Sequence, residues 1–377
     1  MTNSDTAADD FTQEAQQARP AESQRDPKYL RERLQGWLIG KHSGAIVDSV
    51  ELPSANGMSS ETLLADATWD GKHHRLVVRV APLAASDPVF PAYDMHGQFT
   101  VMAHVANTTD VPVPPCYWSE PDPEPLGAPF IVMGRIEGVV PPDVMPYTFG
   151  SWVTDATNEQ RETLQNNAIK ILAQVHAAPV DGLTGVTRPQ PGETALAAHV
   201  RRLHEFYDWA SAGNRRAPIL DTALDWVAAH MPKTDESVLN WGDARIGNVI
   251  FQDFRPAAVL DWEMATLGPR ELDLGWTIFL HRFFQDLAEL AGLPGLPDFM
   301  RRADCERKYA ELTGHTPQDM DFYTAYAAIV HGVIMYRIQV RAIEFGISPA
   351  PDDPNDMILH RPAIEKMVAG TYWEGIK

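Results

Sequence analysis

The stretch "NWGDARIGNVIF", residues 240–251, joins a Gly-containing polar loop directly to a short apolar strand. The strand begins at Asn248, the letters DFRP that follow it predict a turn, and AAVLD returns as a second strand that ends at Asp261. A turn centred between Phe254 and Arg255 places Asn248 opposite Asp261, with their Cβ atoms about 5 Å apart. The pattern therefore predicts a hairpin that carries two oxygen-bearing side chains at its open end.

Oxygen atoms gathered in this way suit a magnesium ion. Mg²⁺ prefers one or two carboxylates together with phosphate oxygens and water, and Asn248 and Asp261 supply an amide oxygen and a carboxylate. Asp243, in the loop before the first strand, lies near the same end and can act as a base or orient a substrate. The alternative is that Asp243 and Asn248 only cap and close a tight loop, as Asp and Asn often do. The matching position of Asp261 favours the functional interpretation.

Composition limits the class of function. A chain of 377 residues can bury a large core and is long enough for two lobes. Its 31 basic and 51 acidic residues give a net charge of −20, which disfavours nucleic acid because phosphate binding needs a basic stripe. The two cysteines, Cys116 and Cys305, are far apart, which argues against a disulfide scaffold and a zinc site. A signal pattern and a long apolar run are missing, so we expect a cytoplasmic protein without a membrane segment.

The chain divides into a β-rich first part and a helical second part. Residues 1–26 contain almost no large apolar side chains and are expected to be a disordered tail. Residues 27–133 show strand patterns and one helical stretch, which predicts a small, mostly antiparallel sheet. Residues 134–377 read as helical except for about 237–262, and a helix is predicted to start at the capping-box spacing that begins with Thr157. The fold class is therefore α+β.

The polar loop and its hairpin also resemble a kinase catalytic centre. The D-x-x-x-x-N spacing from Asp243 to Asn248 is that of the kinase catalytic loop, and a later Asp completes the metal site. The text "WGDARIGNVIF…AAVLDWEMATLGPRELDLGW" is similar to the aminoglycoside phosphotransferase and choline kinase superfamily, most of all to kinase-like domains found alone or fused to acyl-CoA dehydrogenases. The resemblance covers roughly residues 35–345. It implies a bilobal protein-kinase-like fold with a small antiparallel β N-terminal lobe and a larger helical C-terminal lobe.

The resemblance also implies a role for each polar residue of the motif. Asp243 is expected to accept or orient the proton of an acceptor hydroxyl, and Arg245 to stabilise charge on the transferred γ-phosphoryl group. Asn248 and Asp261 are expected to hold Mg²⁺ against the phosphates of ATP, with Glu263 assisting through water. The implied reaction is phosphoryl transfer to a small molecule with a hydroxyl group: an aminoglycoside-like compound, an amino alcohol or a hydroxyacyl compound. The choice between ATP and GTP, and the oligomeric state, stay open.

The nucleotide phosphates are expected to lie against the first part of the chain. The segment "LPSANGMSSE", residues 52–61, is the candidate phosphate-covering loop, because glycine permits close backbone approach and hydroxyls donate hydrogen bonds. Its candidate contacts are Ser54, Asn56, Gly57 and Ser59. An ordinary hairpin loop is the alternative. Arg79, in the strand "LVVRV", stands where kinases carry the cation that binds the α- and β-phosphates.

Three other segments receive an assignment. The segment "FIVMGRIEG" resembles the connector between kinase lobes, whose backbone from Met133 to Arg135 is expected to bind adenine; a plain buried strand is the alternative. The last long helix carries His331 and Arg337 as candidate contacts of the acceptor, against the alternative of a core helix. Asp273 in "ELDLGW" is predicted to be a buried carboxylate that accepts backbone N–H bonds.

The sequence departs from the family pattern at three positions. Arg79 replaces the usual Lys, Gln98 stands where the family often has the Glu that pairs with it, and Trp241 stands where most relatives have His. These departures motivate the alternative of a nucleotide-binding pseudokinase or regulatory binding protein without turnover. A module that binds no nucleotide, in which the hairpin oxygens hold only water or a structural ion, is a second alternative.

Overall fold

The computed structural model describes residues 26–53, 61–83 and 87–376. In these residues an antiparallel five-stranded sheet is followed by a large helical part, which confirms the expected α+β, kinase-like class. Residues 1–25 of the predicted tail lie outside the described residues. Asp26 caps the first helix by accepting a hydrogen bond from the N–H group of Lys28.

The sheet packs one face on the core. Its strands run in the order β1-β2-β3-β5-β4: β1 (Ile46–Glu51), β2 (Glu61–Trp69), β3 (Lys72–Val80), β4 (Cys116–Glu120) and β5 (Phe130–Gly134). Buried and half-buried residues alternate along β2, as expected for a strand with one face on the core. Strand β5 lies between β3 and β4 and is buried along its whole length. Helix α1 (Pro27–Lys41) packs on β1, and helix α2 (Met95–Thr108) packs on β4 and β5.

The helical part is organised around two long helices. Its helices are α3 (Trp152–Asp155), α4 (Asn158–His176), α5 (Ala195–Ala210), α6 (Pro218–His230), α7 (Glu271–Leu290), α8 (Arg302–Thr313), α9 (Met320–Glu344) and α10 (Arg361–Val368). Helices α7 and α9 pack against each other and are buried on nearly all sides, so they form the centre of the core. The predicted capping box is confirmed at the start of α4, where Thr157 and Gln160 satisfy each other's backbone N–H groups.

Two short ribbons carry the polar motif. They are formed by β6 (Val238–Asn240) with β9 (Thr266–Gly268), and by β7 (Val249–Gln252) with β8 (Arg255–Val259).

The predicted hairpin is present, but the predicted pairing of Asn248 with Asp261 is wrong by one residue. Gln252 pairs with Arg255, so the turn is centred earlier than predicted, and the ladder then shifts at a bulge. Leu260 therefore lies opposite Asn248, and its N–H group donates a hydrogen bond of 2.8 Å to the Asn248 carbonyl. Asp261 follows one residue later with a positive φ of 58°.

No helix within residues 26–53, 61–83 and 87–376 combines the length and apolar character needed to cross a bilayer.

Candidate active site

Asp243 is held by three hydrogen-bond donors. The Arg245 Nε atom lies 2.9 and 3.0 Å from its two carboxylate oxygens, Asn248 Nδ2 lies 2.7 Å from Oδ2, and Trp276 Nε1 lies 2.8 Å from Oδ1. Arg245 and Asn248 come from the same loop, whereas Trp276 lies on helix α7. The carboxylate therefore has a fixed orientation, and its side chain keeps 14% exposure to solvent. A fixed and accessible carboxylate can receive or orient a proton from a bound hydroxyl group.

Arg245 connects the catalytic loop to a distant part of the chain. Its Nη1 atom forms an ion pair with Asp143, which lies in the loop before helix α3. Burial alone lowers the pKa of Arg245, but attraction to Asp243 and Asp143 outweighs burial and raises this pKa. A Cβ atom at Gly247 would overlap the Asp143 carboxylate, so a glycine at this position is needed for the close approach.

The Asn248 side chain is held in place through its amide nitrogen. Its Nδ2 atom donates to both the carboxylate and the backbone carbonyl of Asp243, at 2.7 and 3.1 Å. The opposite atom, Oδ1, accepts no hydrogen bond from the described residues and remains available as a ligand. An amide oxygen together with a carboxylate such as that of Asp261, which follows strand β8 of the same hairpin, is a donor set that fits Mg²⁺. Both side chains retain contact with solvent.

Arg79 reaches the hairpin across the cleft from strand β3. Its Nη1 atom lies 3.1 Å from Asp261 Oδ1, and its Nη2 atom lies 3.8 Å from Glu263 Oε2. Burial lowers the pKa of Arg79, but the carboxylates of Asp261 and Glu263 raise it by a larger amount. The cation expected to bind nucleotide phosphates therefore lies next to the carboxylate expected to bind the metal.

Asp273 and Trp241 support the loop from behind. Asp273 is buried and accepts hydrogen bonds from the N–H groups of Trp241 and Gly242, at 2.7 and 2.8 Å, and one of 3.1 Å from His176. The predicted structural role of Asp273 is confirmed by these bonds. The indole N–H of Trp241 lies 2.9 Å from the carbonyl of Leu260 and 3.2 Å from that of Asp261. Trp241 therefore joins the polar loop to the backbone at the end of the hairpin.

The candidate residues of the nucleotide side lie only partly within the described residues. Ser54, Asn56, Gly57 and Ser59 lie outside the described residues. Gln98 is buried on α2, where its Nε2 atom lies 3.9 Å from the Met95 sulfur.

The connector from Met133 to Arg135 leaves the sheet beside β3. The N–H groups of Gly134 and Arg135 already donate hydrogen bonds of 2.8 and 2.9 Å within the sheet, to Pro115 and Arg75. These two N–H groups are therefore engaged before any base binds.

His331 and Arg337 have different surroundings on helix α9. The His331 ring packs against Trp276 at 6.1 Å and His360 at 4.8 Å, and burial lowers its pKa well below the usual value. Arg337 forms an ion pair of 2.5 Å with Asp87. His331 therefore lies behind the tryptophan that orients Asp243, whereas Arg337 holds the segment that follows strand β3.

A second group of potential ligand atoms lies away from this site. Glu236, Glu271 and His315 bring one oxygen or nitrogen each within 4.8 Å of the others. Arg270 pairs with Glu236 at 2.7 Å, and His315 lies 2.7 Å from Glu271. These contacts already use the groups that a metal would need.

Two residues of the site were absent from the sequence-based assignment. Trp276 stands in the quoted motif, but the sequence gives no sign that its N–H group points to Asp243. Asp143 is 102 positions before Arg245 and belongs to no short motif. Only the packing of α7 and of the loop before α3 brings these side chains to Asp243 and Arg245.

The chain is similar to a known enzyme family and to part of a longer mouse protein. A profile of the phosphotransferase enzyme family matches residues 55–311. Mouse acyl-CoA dehydrogenase family member 10 is 26% identical over 326 residues, which are 81% of this chain and 28% of that protein. The chain thus spans little more than a quarter of that relative.

Solved structures of phosphotransferases share the fold. A Ralstonia eutropha protein assigned as an aminoglycoside phosphotransferase has a TM-score of 0.64 and 20% identity over 90% of this chain and 97% of its own. A thermostable mutant of aminoglycoside phosphotransferase APH(4)-Ia, solved with ADP and hygromycin B, has a TM-score of 0.55 and 14% identity over 89% and 98%. The family match covers more than half of the 377 residues and includes the polar loop and its hairpin, so the chain belongs to the phosphotransferase enzyme family.

Proposed function

We propose that this protein transfers the γ-phosphoryl group of ATP, bound with Mg²⁺, to a hydroxyl group of a small molecule. Residues 27–133 form the nucleotide-binding lobe in this proposal, and residues 134–377 form the lobe that binds the acceptor. The observation that carries the proposal is the orientation of Asn248. Its amide nitrogen holds Asp243, while its amide oxygen is left for a metal beside Asp261.

Each polar side chain of the site then has one role in the proposed reaction. Asp243 accepts or orients the proton of the attacking hydroxyl, and Arg245 stabilises negative charge that develops on the transferred group. Asn248 and Asp261 would hold Mg²⁺, which neutralises charge on the phosphates when it is bound. Arg79 binds the phosphates through its guanidinium group, which can make two parallel hydrogen bonds.

Nucleotide binding rearranges one ion pair in this proposal. Arg79 and Asp261 contact each other at 3.1 Å. In the proposal the phosphates bind Arg79 and the metal binds Asp261. Glu263 lies close enough to Arg79 to keep it near the cleft and to bind a water molecule of the metal. The pairing with Asp261 gives Arg79 a carboxylate partner although Gln98 stands where a helix Glu is usual.

The adenine ring is proposed to lie beside the connector from Met133 to Arg135. The residues Ser54, Asn56, Gly57 and Ser59 are proposed to cover the phosphates. Among the relatives, APH(4)-Ia was solved with hygromycin B, and the mouse relative is an acyl-CoA dehydrogenase family member. These names support an amine-bearing acceptor and a hydroxyacyl acceptor, respectively.

The proposal is tested by thermal unfolding with ATP, with and without Mg²⁺. A ligand at about 100 times its dissociation constant stabilises the folded state by about 2.7 kcal/mol, which is a readily measured increase in Tm. We expect this increase to require Mg²⁺ and to be lost in Asp261→Asn. Asparagine is the suitable replacement because it tolerates the positive φ at this position.

The matched control is Asp298→Asn, since the Asp298 side chain is 92% exposed. This variant should keep the full response to ATP and Mg²⁺. A response that is the same in Asp261→Asn and wild type would contradict the metal site.

Turnover separates the proposal from the pseudokinase alternative. We expect Asp243→Asn to retain the Mg²⁺-dependent response to ATP and to lose phosphorylation of the acceptor. Equal phosphorylation by wild type and Asp243→Asn would remove Asp243 from the mechanism.

A further inference from the structure

Two carboxylates from different parts of the chain bind two of the three guanidinium nitrogens of Arg245. The Nε atom lies 2.9 and 3.0 Å from the carboxylate oxygens of Asp243, and the Nη1 atom forms an ion pair with Asp143. The third nitrogen, Nη2, donates to no acceptor within the part of the chain that the structure describes, and it is not buried. Because the arginine side chain keeps 26% exposure to solvent, Nη2 is the nitrogen that a ligand can reach.

The segment that carries Asp143 is anchored on both sides of this residue. Before it, Val139 and Phe251 exchange two backbone hydrogen bonds of 2.9 and 2.8 Å, which join the segment to strand β7 of the hairpin. After it, the Thr148 hydroxyl donates a hydrogen bond of 2.8 Å to the carbonyl of Phe284 on helix α7. The backbone around Asp143 is therefore tied to the two elements that also hold the polar loop.

The Asp143 side chain fits closely against the polar loop. A Cβ atom at Gly247 would overlap both oxygens of the Asp143 carboxylate, so the backbone of the loop lies directly beside this group. Tyr147 is buried nearby, and burial together with the charge of Asp143 raises the pKa of its hydroxyl well above the usual value. The Asp143 carboxylate therefore has little freedom to move away from Arg245.

The second carboxylate is explained neither by charge nor by stability. Asp243 and Asp143 carry two negative charges against one positive charge on Arg245, so the three groups have a net charge of −1, which weakens their attraction for phosphate oxygens. Ion pairs between partly exposed side chains contribute little to stability, and the Asp143 side chain is 30% exposed. What Asp143 adds is direction, because contacts on two nitrogens of a planar guanidinium group fix its plane and the position of the third nitrogen.

We propose that Asp143 is a positioning residue for phosphoryl transfer, which fixes the guanidinium plane of Arg245 so that Nη2 donates a hydrogen bond to the transferred γ-phosphoryl group. This inference rests on the proposed kinase function and adds a residue to the same site. In the transfer, the acceptor oxygen forms a bond to the γ-phosphorus, the bond from this phosphorus to the bridging oxygen of ADP breaks, and the acceptor proton passes to Asp243. Negative charge on the moving group then meets a donor that is already in place.

The test uses a mimic of the transferred group, so it does not depend on the identity of the acceptor. Aluminium fluoride with ADP and Mg²⁺ imitates the phosphoryl group during transfer, whereas ADP with Mg²⁺ alone lacks that group. Isothermal titration calorimetry of the whole protein, well below its Tm, measures the dissociation constant of ADP with Mg²⁺, with and without aluminium fluoride. Transition-state mimics bind more tightly than ground-state ligands, so aluminium fluoride should tighten the binding of ADP to wild type by about 100-fold or more.

The decisive variants are Asp143→Ala and Asp143→Asn, with Asp286→Ala as the matched control. Asp143→Ala removes the contact with Nη1, and we expect it to reduce the tightening by about 10- to 100-fold while the dissociation constant of ADP alone changes by less than about threefold. Asparagine keeps an oxygen that can accept from Nη1, so Asp143→Asn should retain most of the tightening. Asp286 forms an ion pair with Arg282 and is 33% exposed, which is close to the exposure of Asp143, and its removal should change neither constant.

A double-mutant cycle shows whether Asp143 acts through Arg245. Arg245→Met removes the guanidinium group, keeps the length of the side chain, and should reduce the tightening at least as strongly as Asp143→Ala. In the Arg245→Met background, Asp143→Ala should have no further effect, because the group that it positions is gone. A residue that only supports the fold would weaken binding of the mimic by the same factor in both backgrounds, and that result would overturn the proposal.

Other results also decide against the proposal. Unchanged tightening in Asp143→Ala, or an equal loss of ADP binding with and without aluminium fluoride, would mean that Asp143 does not orient the donor. Tighter binding of the mimic by Asp143→Asn than by wild type would mean that the second carboxylate only reduces the charge of Arg245. If wild type binds ADP with Mg²⁺ but gains nothing from aluminium fluoride, Arg245 is no donor to the transferred group; if wild type binds neither ADP nor ATP with Mg²⁺, the proposed kinase function itself is wrong.

Discussion

At the scale of single residues, the site depends on how a few polar atoms divide their hydrogen bonds. Asp243 accepts hydrogen bonds from Arg245, Asn248 and Trp276. All three donors are side chains of the protein itself, so they are present before any substrate or nucleotide binds. The carboxylate is therefore oriented before a substrate arrives. Such preorganisation is the main contribution that a protein can make to phosphoryl transfer, because the reaction needs positioning and charge stabilisation more than covalent chemistry.

The contribution of Trp276 can be measured with Trp276→Phe. This change removes the indole N–H that donates to Asp243 at 2.8 Å and keeps an aromatic ring. A hydrogen bond to a charged group contributes about 1.5–3 kcal/mol, so we expect kcat to fall by about 10- to 100-fold. The measurement is steady-state phosphorylation, made well below the Tm of the variant.

Trp226→Phe is the control for this prediction. Trp226 stacks on His230 and Phe322 of the helical part, away from Asp243, and the substitution changes volume by the same amount. If both variants keep the wild-type kcat, Trp276 has no role in orienting Asp243.

At the scale of secondary-structure elements, helix α7 determines the position of the catalytic loop. Its first turn carries Asp273, which accepts the N–H groups of Trp241 and Gly242. Gly242 has a φ of 92°, and a Cβ atom there would overlap the backbone of Met264. The loop therefore passes close to the segment that follows Asp261. This close approach requires glycine at position 242 and the buried Asp273 carboxylate as the acceptor of the loop N–H groups.

Asp273→Ala is expected to destabilise the protein. The substitution leaves two backbone N–H groups without an acceptor in the interior, each costing about 1–3 kcal/mol. We expect the free energy of unfolding to decrease by about 2–6 kcal/mol in urea denaturation, with activity lost at temperatures where the variant remains folded.

Asp298→Ala removes a carboxylate of the same type at a site that is 92% exposed. It should change the free energy of unfolding by less than about 0.5 kcal/mol. A similar small effect for Asp273→Ala would show that the loop holds its shape without this carboxylate.

At the scale of the whole molecule, ion pairs are among the contacts that join the sheet to the helical part. Arg79 on β3 contacts Asp261 on the hairpin, and Asp87, which follows β3, forms an ion pair with Arg337 on α9. The interior of the helical part also contains His281 and His360, which form no ion pair with another described residue. Burial lowers the pKa of His281 to about 3 and that of His360 to about 4.

These histidines predict a loss of stability in acid. Their folded pKa values lie below the unfolded value of about 6.5, so the unfolded chain binds more protons below this pH. Stability is therefore complete above pH 6.5 and declines as the pH falls toward 4. Each buried histidine contributes up to about 1.4 kcal/mol per pH unit in this window. Urea denaturation at pH 7.5, 6.5, 5.5 and 5.0 measures the slope.

His281→Gln provides the control, because glutamine does not titrate and can still bond the Tyr147 hydroxyl that lies 2.7 Å from His281 Nδ1. The slope below pH 6.5 should decrease by about one proton in this variant. A free energy of unfolding that is constant from pH 7.5 to 5.0 would contradict the prediction.

The sequence by itself determined the features that depend on neighbouring residues. The two short strands around the hairpin, the capping box at Thr157 and the structural role of Asp273 all follow from local patterns of side chains. Local patterns suffice there because capping and turn formation involve residues only a few positions apart. The α+β class followed from the strand and helix patterns, and the family resemblance added the bilobal, kinase-like form.

Only the tertiary structure decided the features that depend on distant residues. A bulge, which no residue type marks in advance, shifted the hairpin register and placed Leu260 opposite Asn248. The pairing of Asp143 with Arg245 results from packing between elements far apart in the chain. The physical reason is that the residue type of a charged side chain does not identify its partner. The partner is set by the groups that the folded chain brings within about 4 Å.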